Sequence, residues 1–182
     1  MNKLLGIILL LIFSPFFVFI FLAIILEDGF PFLFKQKRIG INGTFFYIYK
    51  FRSMRKNTPN VATHLLTNPD KYLLKFGKLL RRTSLDELPN LINIIKGEMV
   101  FVGPRPALYN QDDLMILRVA KGVDKLKPGI TGWAQINGRD EISIEHKVQL
   151  EQEYLNKKSF LFDITILIKT FTNVLFSKGI SH

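Results

Sequence analysis

The sequence predicts an α+β fold, mainly α with a small β-hairpin, carried behind an N-terminal apolar segment that enters a membrane. Three observations predict it. Residues 4–26 form an apolar run without a charge, aromatic and β-branched residues gather around Asn42-Gly43, and later stretches repeat their apolar residues at helical spacing. At 182 residues the chain fits one compact domain with a short appendage. A hydrophobic content of 48% excludes a disordered chain. The lack of cysteine excludes disulfides and thiolate metal sites, so any metal must be held by oxygen or imidazole.

Taken in order, the apolar run comes first. At 1.5 Å per residue it makes a helix of roughly 35 Å, enough on length alone to cross a hydrocarbon core of about 30 Å. Ser14-Pro15 falls near its middle. Proline lacks the N–H that a helix needs there and presses on the carbonyl of Leu11, so the helix should kink or break. The Ser14 hydroxyl can bond back to a carbonyl and relieve part of that cost. Basic residues flank both ends, Lys3 before and Lys35 to Arg38 after, which favours keeping both sides cytoplasmic. A kinked spanning helix and a helix-break-helix that re-enters the same face both remain open on composition.

Asp28-Gly29 and Pro31 mark the exit from the run. Residues 36–51 then read as a hairpin turning at Asn42-Gly43, and residues 56–70 as a loop. Residues 71–82 read as an amphipathic helix with Leu73, Leu74, Phe76, Leu79 and Leu80 on one side and Lys75, Lys78, Arg81 and Arg82 on the other. A second helix is expected from about Asp86 to Lys96, a short extended segment at residues 99–102, and a helix over 142–157. Residues 159–176 are apolar but contain Asp163 and Lys169, which suits a buried or interfacial helix better than a second crossing.

The net charge of +10 calls for an anionic partner, and no acidic residue lies between Asp28 and Asp70. Against this basic background stand the adjacent carboxylates Asp86 and Glu87. Ser84 followed by Glu87 fits a capping box, whereas Pro89 suits a helix that starts nearer Asp86. Either start puts both carboxylates at the positive end of a helix, which favours their ionised form. There Asp86 could act as a nucleophile, and the pair could bind Mg²⁺ together with substrate phosphates. A carboxylate attacking a diphosphate needs cations to offset the repulsion. Candidates are Lys50 and Arg52 in Lys50-Phe51-Arg52-Ser53-Met54, and Arg105 in the rigid Gly103-Pro104-Arg105-Pro106 loop. The glycine-punctuated segment from Pro128 to Arg139 allows close backbone approach to a ligand. Trp133 within it fits the core better than a base stack, and the three histidines show no metal spacing.

Each motif is weak alone; their order is not. Ser14-Pro15 in an apolar run, Lys50-Phe51-Arg52-Ser53-Met54, Ser84-Leu85-Asp86-Glu87-Leu88, Gly103-Pro104-Arg105-Pro106 and Pro128-Gly129-Ile130-Thr131-Gly132-Trp133 together resemble the small monotopic phosphoglycosyl transferases, a group of bacterial sugar transferases. The resemblance covers nearly the whole chain. It implies transfer of a sugar 1-phosphate from a UDP-sugar to undecaprenyl phosphate with release of UMP, through a covalent aspartyl-phosphosugar on Asp86. Glu87 would be its acid/base or Mg²⁺-organising neighbour, and Lys50, Arg52, Arg105 and Arg139 phosphate or nucleotide contacts. Asp163 falls where the family often has an aspartate. The resemblance makes residues 1–34 a re-entrant hairpin broken at Ser14 and Pro15. Residues 35–182 become a catalytic domain on the cytoplasmic face of the bacterial inner membrane, with amphipathic helices at the interface. Membrane lipids are then partners, nucleic acid is not, and self-association stays open. Two rival classes predict different behaviour: a non-catalytic binder of anionic lipid or nucleic acid, and a single-pass metal-dependent phosphohydrolase.

Overall fold

The computed structural model describes residues 2–59, 68–138 and 142–175. Helix α1 spans Asn2–Ile12 and α2 spans Ser14–Asp28, bent by 61° at Phe13. Pro15 sits in the first turn of α2, where its missing N–H leaves no bond unmade, and Ser14 Oγ donates to the Leu11 carbonyl at 2.7 Å. The sequence therefore breaks where Ser-Pro requires, and the freed carbonyl is satisfied. Among the described residues no single helix is long and apolar enough to cross a membrane; the bent pair passes on length and composition only.

Both legs of the pair pack on the rest of the protein. In α1, Gly6 seats against Ile94 and Ile95. In α2, Ile20 and Ile24 are buried with Phe51, Leu74 and Leu80, and the Phe17 and Phe51 rings meet edge to face at 5.0 Å. The acidic end of α2 is tied down as well. Glu27 accepts from the Lys75 amide at 2.9 Å, and Asp28 from the Lys56 amide at 3.1 Å.

Strands β1 (Leu33–Ile39) and β2 (Phe45–Phe51) form the expected hairpin, with pairing that begins three residues earlier than its sequence signal. Its turn places Asn42 and Gly43 in the left-handed region, φ 52° and 74°, as an Asn-Gly hairpin turn demands. The amphipathic helix expected over residues 71–82 is broken. Pro69–Tyr72 is a 3-10 turn, Leu73 is extended and bridges Met54, and only Gly77–Arg82 is helical, α3. The cause is at Gly77, where a Cβ would lie 2.1 Å from the Ser53 carbonyl oxygen: the chain is pulled onto the end of β2.

The second helix also starts later than expected. Ser84 is left-handed, φ 57°, and makes no capping bond, so no capping box forms. Leu85–Glu87 is a 3-10 turn, Pro89 takes the cap position, and α4 runs from Asn90 to Lys96, Asn90–Lys96. Helix α4 lies against β2 through fully buried Asn93, whose Nδ2 donates to the Tyr47 carbonyl at 2.7 Å while its Oδ1 accepts from the Tyr49 amide at 3.3 Å.

Strand β3 (Val100–Val102) pairs in parallel with β5 (Gly129–Thr131), and β4 (Ala107–Leu108) adds to the free edge of β1. Around them pack α5 (Asp112–Ala120), the single turn α6 (Trp133–Ile136), α7 (Ile144–Lys157) and α8 (Phe160–Leu175). Trp133 joins the edge of this core as expected, its Nε1 donating to Glu153 at 2.9 Å. Helix α8 buries Ile166 and leaves Phe160, Leu161, Ile168 and Phe171 exposed. Its Asp163 bonds the Tyr154 hydroxyl at 2.7 Å. The α+β class is thus the observed one, mostly helical with two small sheets.

The α1–α4 contact yields a first test. A Cβ on Gly6 would lie 3.3 Å from both Ile94 Cγ2 and Ile95 Cγ1. Gly6→Leu should overpack this seam and destabilise by about 1–3 kcal/mol, read as a lowered unfolding temperature, with Gly6→Ala much milder.

Candidate active site

Three pieces of chain converge at the carboxylate pair: the end of β2, the 3-10 turn before α4, and the loop between β3 and β4. Lys50 reaches Glu87, Nζ to Oε1 at 2.6 Å, with both side chains about one-fifth exposed. Arg105 approaches the same oxygen at 3.9 Å and remains 41% exposed, which leaves donors for a ligand. The Gly103 to Pro106 loop is held firmly. The Gly103 amide donates to the Thr131 carbonyl at 2.8 Å, and the Pro104 carbonyl accepts from the Gly129 amide at 2.9 Å.

Asp86 is buried at 9% exposure. Burial pushes its carboxyl up to about 6, with Lys50 and Arg81 pulling it down and Glu87 pushing it up. This corrects the expectation that a helix terminus would favour the ionised form. The α-helix starts four residues on, and desolvation outweighs the field it supplies. The charges of Lys50 and Arg81 oppose that rise and favour the anion. Arg81, at the end of α3, is anchored by Nε donating to Ser53 Oγ at 3.0 Å.

A small open cleft lies beside the pair, lined by Lys50, Glu87, Asn90 and Arg105 together with the apolar Ile48 and Met99. Asn90 is 3% exposed, and its Oδ1 is buried without a hydrogen-bond partner. Such an atom costs stability unless something donates to or coordinates it.

Of the candidates from sequence, Asp86, Glu87, Lys50 and Arg105 come together. Arg52 lies elsewhere, 7% exposed, paired with Asp28 at 2.9 Å and donating to the Asp28 and Gly29 carbonyls. Alternation along the strand does not separate Lys50 from Arg52; the chain leaves β2 at Phe51 and turns Arg52 toward the end of α2. Arg139 lies outside the described residues. Asp163 is engaged with Tyr154, whose hydroxyl is pushed upward by burial and by that carboxylate. Arg81 and Asn90 were not singled out from sequence. Arg81 was one cation on a basic helix face, and only the left-handed turn at Ser84 brings it back toward Asp86. Asn90 carried a weak signal, four residues after Asp86 and directly after Pro89.

A family model described as bacterial sugar transferase matches residues 1–177. The chain belongs to this family. The resemblance drawn from the ordered motifs is thereby borne out, and the protein is an enzyme of the sugar transferase class. It is 43% identical to the sugar transferase EpsL of Bacillus subtilis (strain 168), over 93% of this chain and 82% of that protein. It is 40% identical to the UDP-glucose:undecaprenyl-phosphate glucose-1-phosphate transferase of Escherichia coli (strain K12), over 91% of this chain but 37% of that protein. The exopolysaccharide production protein ExoY of Rhizobium meliloti (strain 1021) is 36% identical, over 93% of this chain and 81% of its own length. The chain thus spans most of EpsL and ExoY and little more than a third of the Escherichia coli relative.

The raised Asp86 carboxyl has a testable sign. The folded state holds this proton up to about 6 against an ordinary value of 3.8. Stability attributable to Asp86 is therefore full below the ordinary value and is lost as pH rises through about 6. Asp86→Asn should stabilise the cation-free protein at pH 8 by on the order of 3 kcal/mol and bring no gain near pH 4, as thermal unfolding at the two pH values would show.

Proposed function

We propose that this protein transfers a sugar 1-phosphate from a UDP-sugar to undecaprenyl phosphate, releasing UMP and starting a surface glycan. The observation that carries the reading is Asp86 itself: a buried carboxylate beside Glu87 and its Lys50 partner, next to a cleft where Arg105 offers free donors. Relatives of similar sequence bear the names of such transferases.

In the first half-reaction an Asp86 oxygen attacks the β-phosphorus of the UDP-sugar. The bond from that phosphorus to the bridging oxygen breaks, UMP leaves, and an aspartyl-phosphosugar remains. In the second, an oxygen of undecaprenyl phosphate attacks the same phosphorus and Asp86 leaves as the carboxylate. The product is the undecaprenyl diphosphate-linked sugar. Lys50 and Arg105 neutralise the diphosphate, so that two anions can approach. Glu87 organises the site, through its ion pair with Lys50.

The donor set fits Mg²⁺ supplied with the substrate. Among the described residues no group of three ligating side chains could cage a metal by itself. Two adjacent carboxylates and the unpartnered Asn90 oxygen are hard donors that suit a cation completed by substrate phosphates. Asp86, Glu87 and Asn90 would hold it, and when bound it would spread the charge of the diphosphate.

The bent α1–α2 pair supports a re-entrant membrane anchor that breaks at Ser14 and Pro15. The exposed apolar side chains of α8, of Leu79 in α3 and of Phe76 just before it support interfacial contact with lipid. The basic residues that flank both ends of the apolar run support a catalytic part on the cytoplasmic face of the inner membrane.

Membranes containing the protein should release UMP from one of a panel of UDP-sugars when undecaprenyl phosphate is present. Asp86→Asn should lose at least about 10³-fold in rate, and wild type should exchange labelled UMP into the UDP-sugar with no lipid acceptor. Wild-type turnover by Asp86→Asn would rule out the covalent intermediate. For topology, Asn2→Cys should label only from the cytoplasmic side. Pro15→Leu should straighten the run and lower activity; periplasmic labelling of Asn2→Cys would instead mean a spanning helix.

A further inference from the structure

Arg118 and Glu151 lie outside the cleft, yet they grip its loop. Their side chains are buried, at 4% and 2% exposure, in a chain whose other described ion pairs are more exposed. Arg118, near the end of α5, donates from Nε to Glu151 Oε2 at 2.8 Å and from Nη2 to Glu151 Oε1, a two-pronged contact with α7. The same Nη2 donates to the main-chain carbonyl of Arg105 at 2.9 Å.

A buried ion pair commonly adds little stability over apolar side chains of the same shape, because desolvation offsets the attraction. Its geometry is another matter. A planar guanidinium locked on both oxygens of a carboxylate has a fixed plane, so its remaining donors have fixed directions. Here one of them ends on the residue whose side chain reaches Glu87. The next carbonyl, of Pro106, accepts from Arg38 Nη1 at 3.0 Å, and Gly103 and Pro104 are bonded to β5. The loop is thus held residue by residue, and Arg118 supplies the hold at Arg105.

We propose that the buried Arg118–Glu151 pair is a positioning device for Arg105, setting the direction from which its guanidinium meets the diphosphate of the nucleotide-sugar. The choice of ligand rests on the transfer reading above; the coupling between the residues does not. Neither residue touches substrate, so both act through the Arg105 backbone.

A double-mutant cycle on the full chain tests this. Arg118→Lys keeps the charge and loses the fork, Glu151→Gln keeps the shape and loses the charge, and Arg105→Ala removes the end point. Affinity for UDP, which needs no turnover, is measured alongside UMP release and unfolding temperature. Arg118→Lys should weaken both UDP affinity and kcat/KM roughly tenfold or more, and should cause no further loss once Arg105 is alanine. A merely structural pair would give losses that add to that of Arg105→Ala, and additivity, or UDP affinity unchanged by Arg118→Lys, overturns the proposal. If Arg118→Lys fails to fold, Glu151→Gln is scored in the same cycle against the same criterion. A wild-type chain that binds UDP but releases no UMP from any UDP-sugar overturns the transfer reading, while the cycle on UDP affinity still decides the coupling.

Discussion

One buried amide fixes the geometry on which the rest of the site depends. Asn93, on α4, donates to one backbone carbonyl of β2 and accepts from the amide two residues further on, so it takes the place of a neighbouring strand on that edge. A second donation from its Nδ2, to Glu98 at 2.7 Å, closes the end of α4 over the same point. Lys50 follows Tyr49 directly, and Asp86 and Glu87 lie one turn before α4 begins. The 2.6 Å contact of Lys50 with Glu87 is therefore a consequence of where Asn93 locks helix to strand. An apolar residue at 93 could fill the space, but it would take away the side-chain partners of the Tyr47 carbonyl and the Tyr49 amide.

Electrostatics at the pair is a balance between burial and cations. Water exclusion raises the Asp86 carboxyl to about 6, and the charges of Lys50 and Arg81 oppose that rise. The same burial makes the carboxylate poorly solvated and so a better nucleophile once ionised. Glu87, more exposed and bonded to Lys50, stays in charge contact with Asp86 and can respond to a ligand that draws Lys50 away. Two adjacent carboxylates thus acquire different environments, which is the physical basis for giving them different roles.

Much of this was legible in the sequence because it depends on short-range rules. Ser14-Pro15 breaks a helix whatever surrounds it, and the Ser14 hydroxyl has the Leu11 carbonyl within reach. Asn42-Gly43 makes its turn for similar local reasons. The failures are equally specific. Residues 71–82 carry a helical pattern, but Leu73 is needed as a partner for Met54 and Gly77 as a gap for the Ser53 carbonyl, so only the last turn and a half is helical. Ser84 and Glu87 have capping-box spacing, but the left-handed Ser84 points the chain elsewhere. Arg52 has the charge of a phosphate ligand and is held by Asp28, a contact between residues 24 apart that no pattern encodes. Tertiary contacts override local preference wherever a backbone group would otherwise be stranded.

The N-terminal pair of helices is joined to the site more closely than an anchor requires. Helix α1 rests on the outer side of α4 at Gly6, while α2 packs on Phe51, one residue past Lys50, and its terminal Asp28 holds Arg52. One leg therefore touches the helix that follows the carboxylates, and the other the strand that carries their lysine. The 61° bend sets the angle between the legs, and so lets the pair follow the placement of α4 on β2 that Asn93 fixes. Straightening the bend would have to open either the α1–α4 seam or the cluster around Phe51, since a close-packed interface cannot stretch to follow both. In the proposed transfer the second substrate is a lipid, and a break in the apolar segment that also braces the catalytic turn would couple the depth of the anchor to the geometry of Asp86.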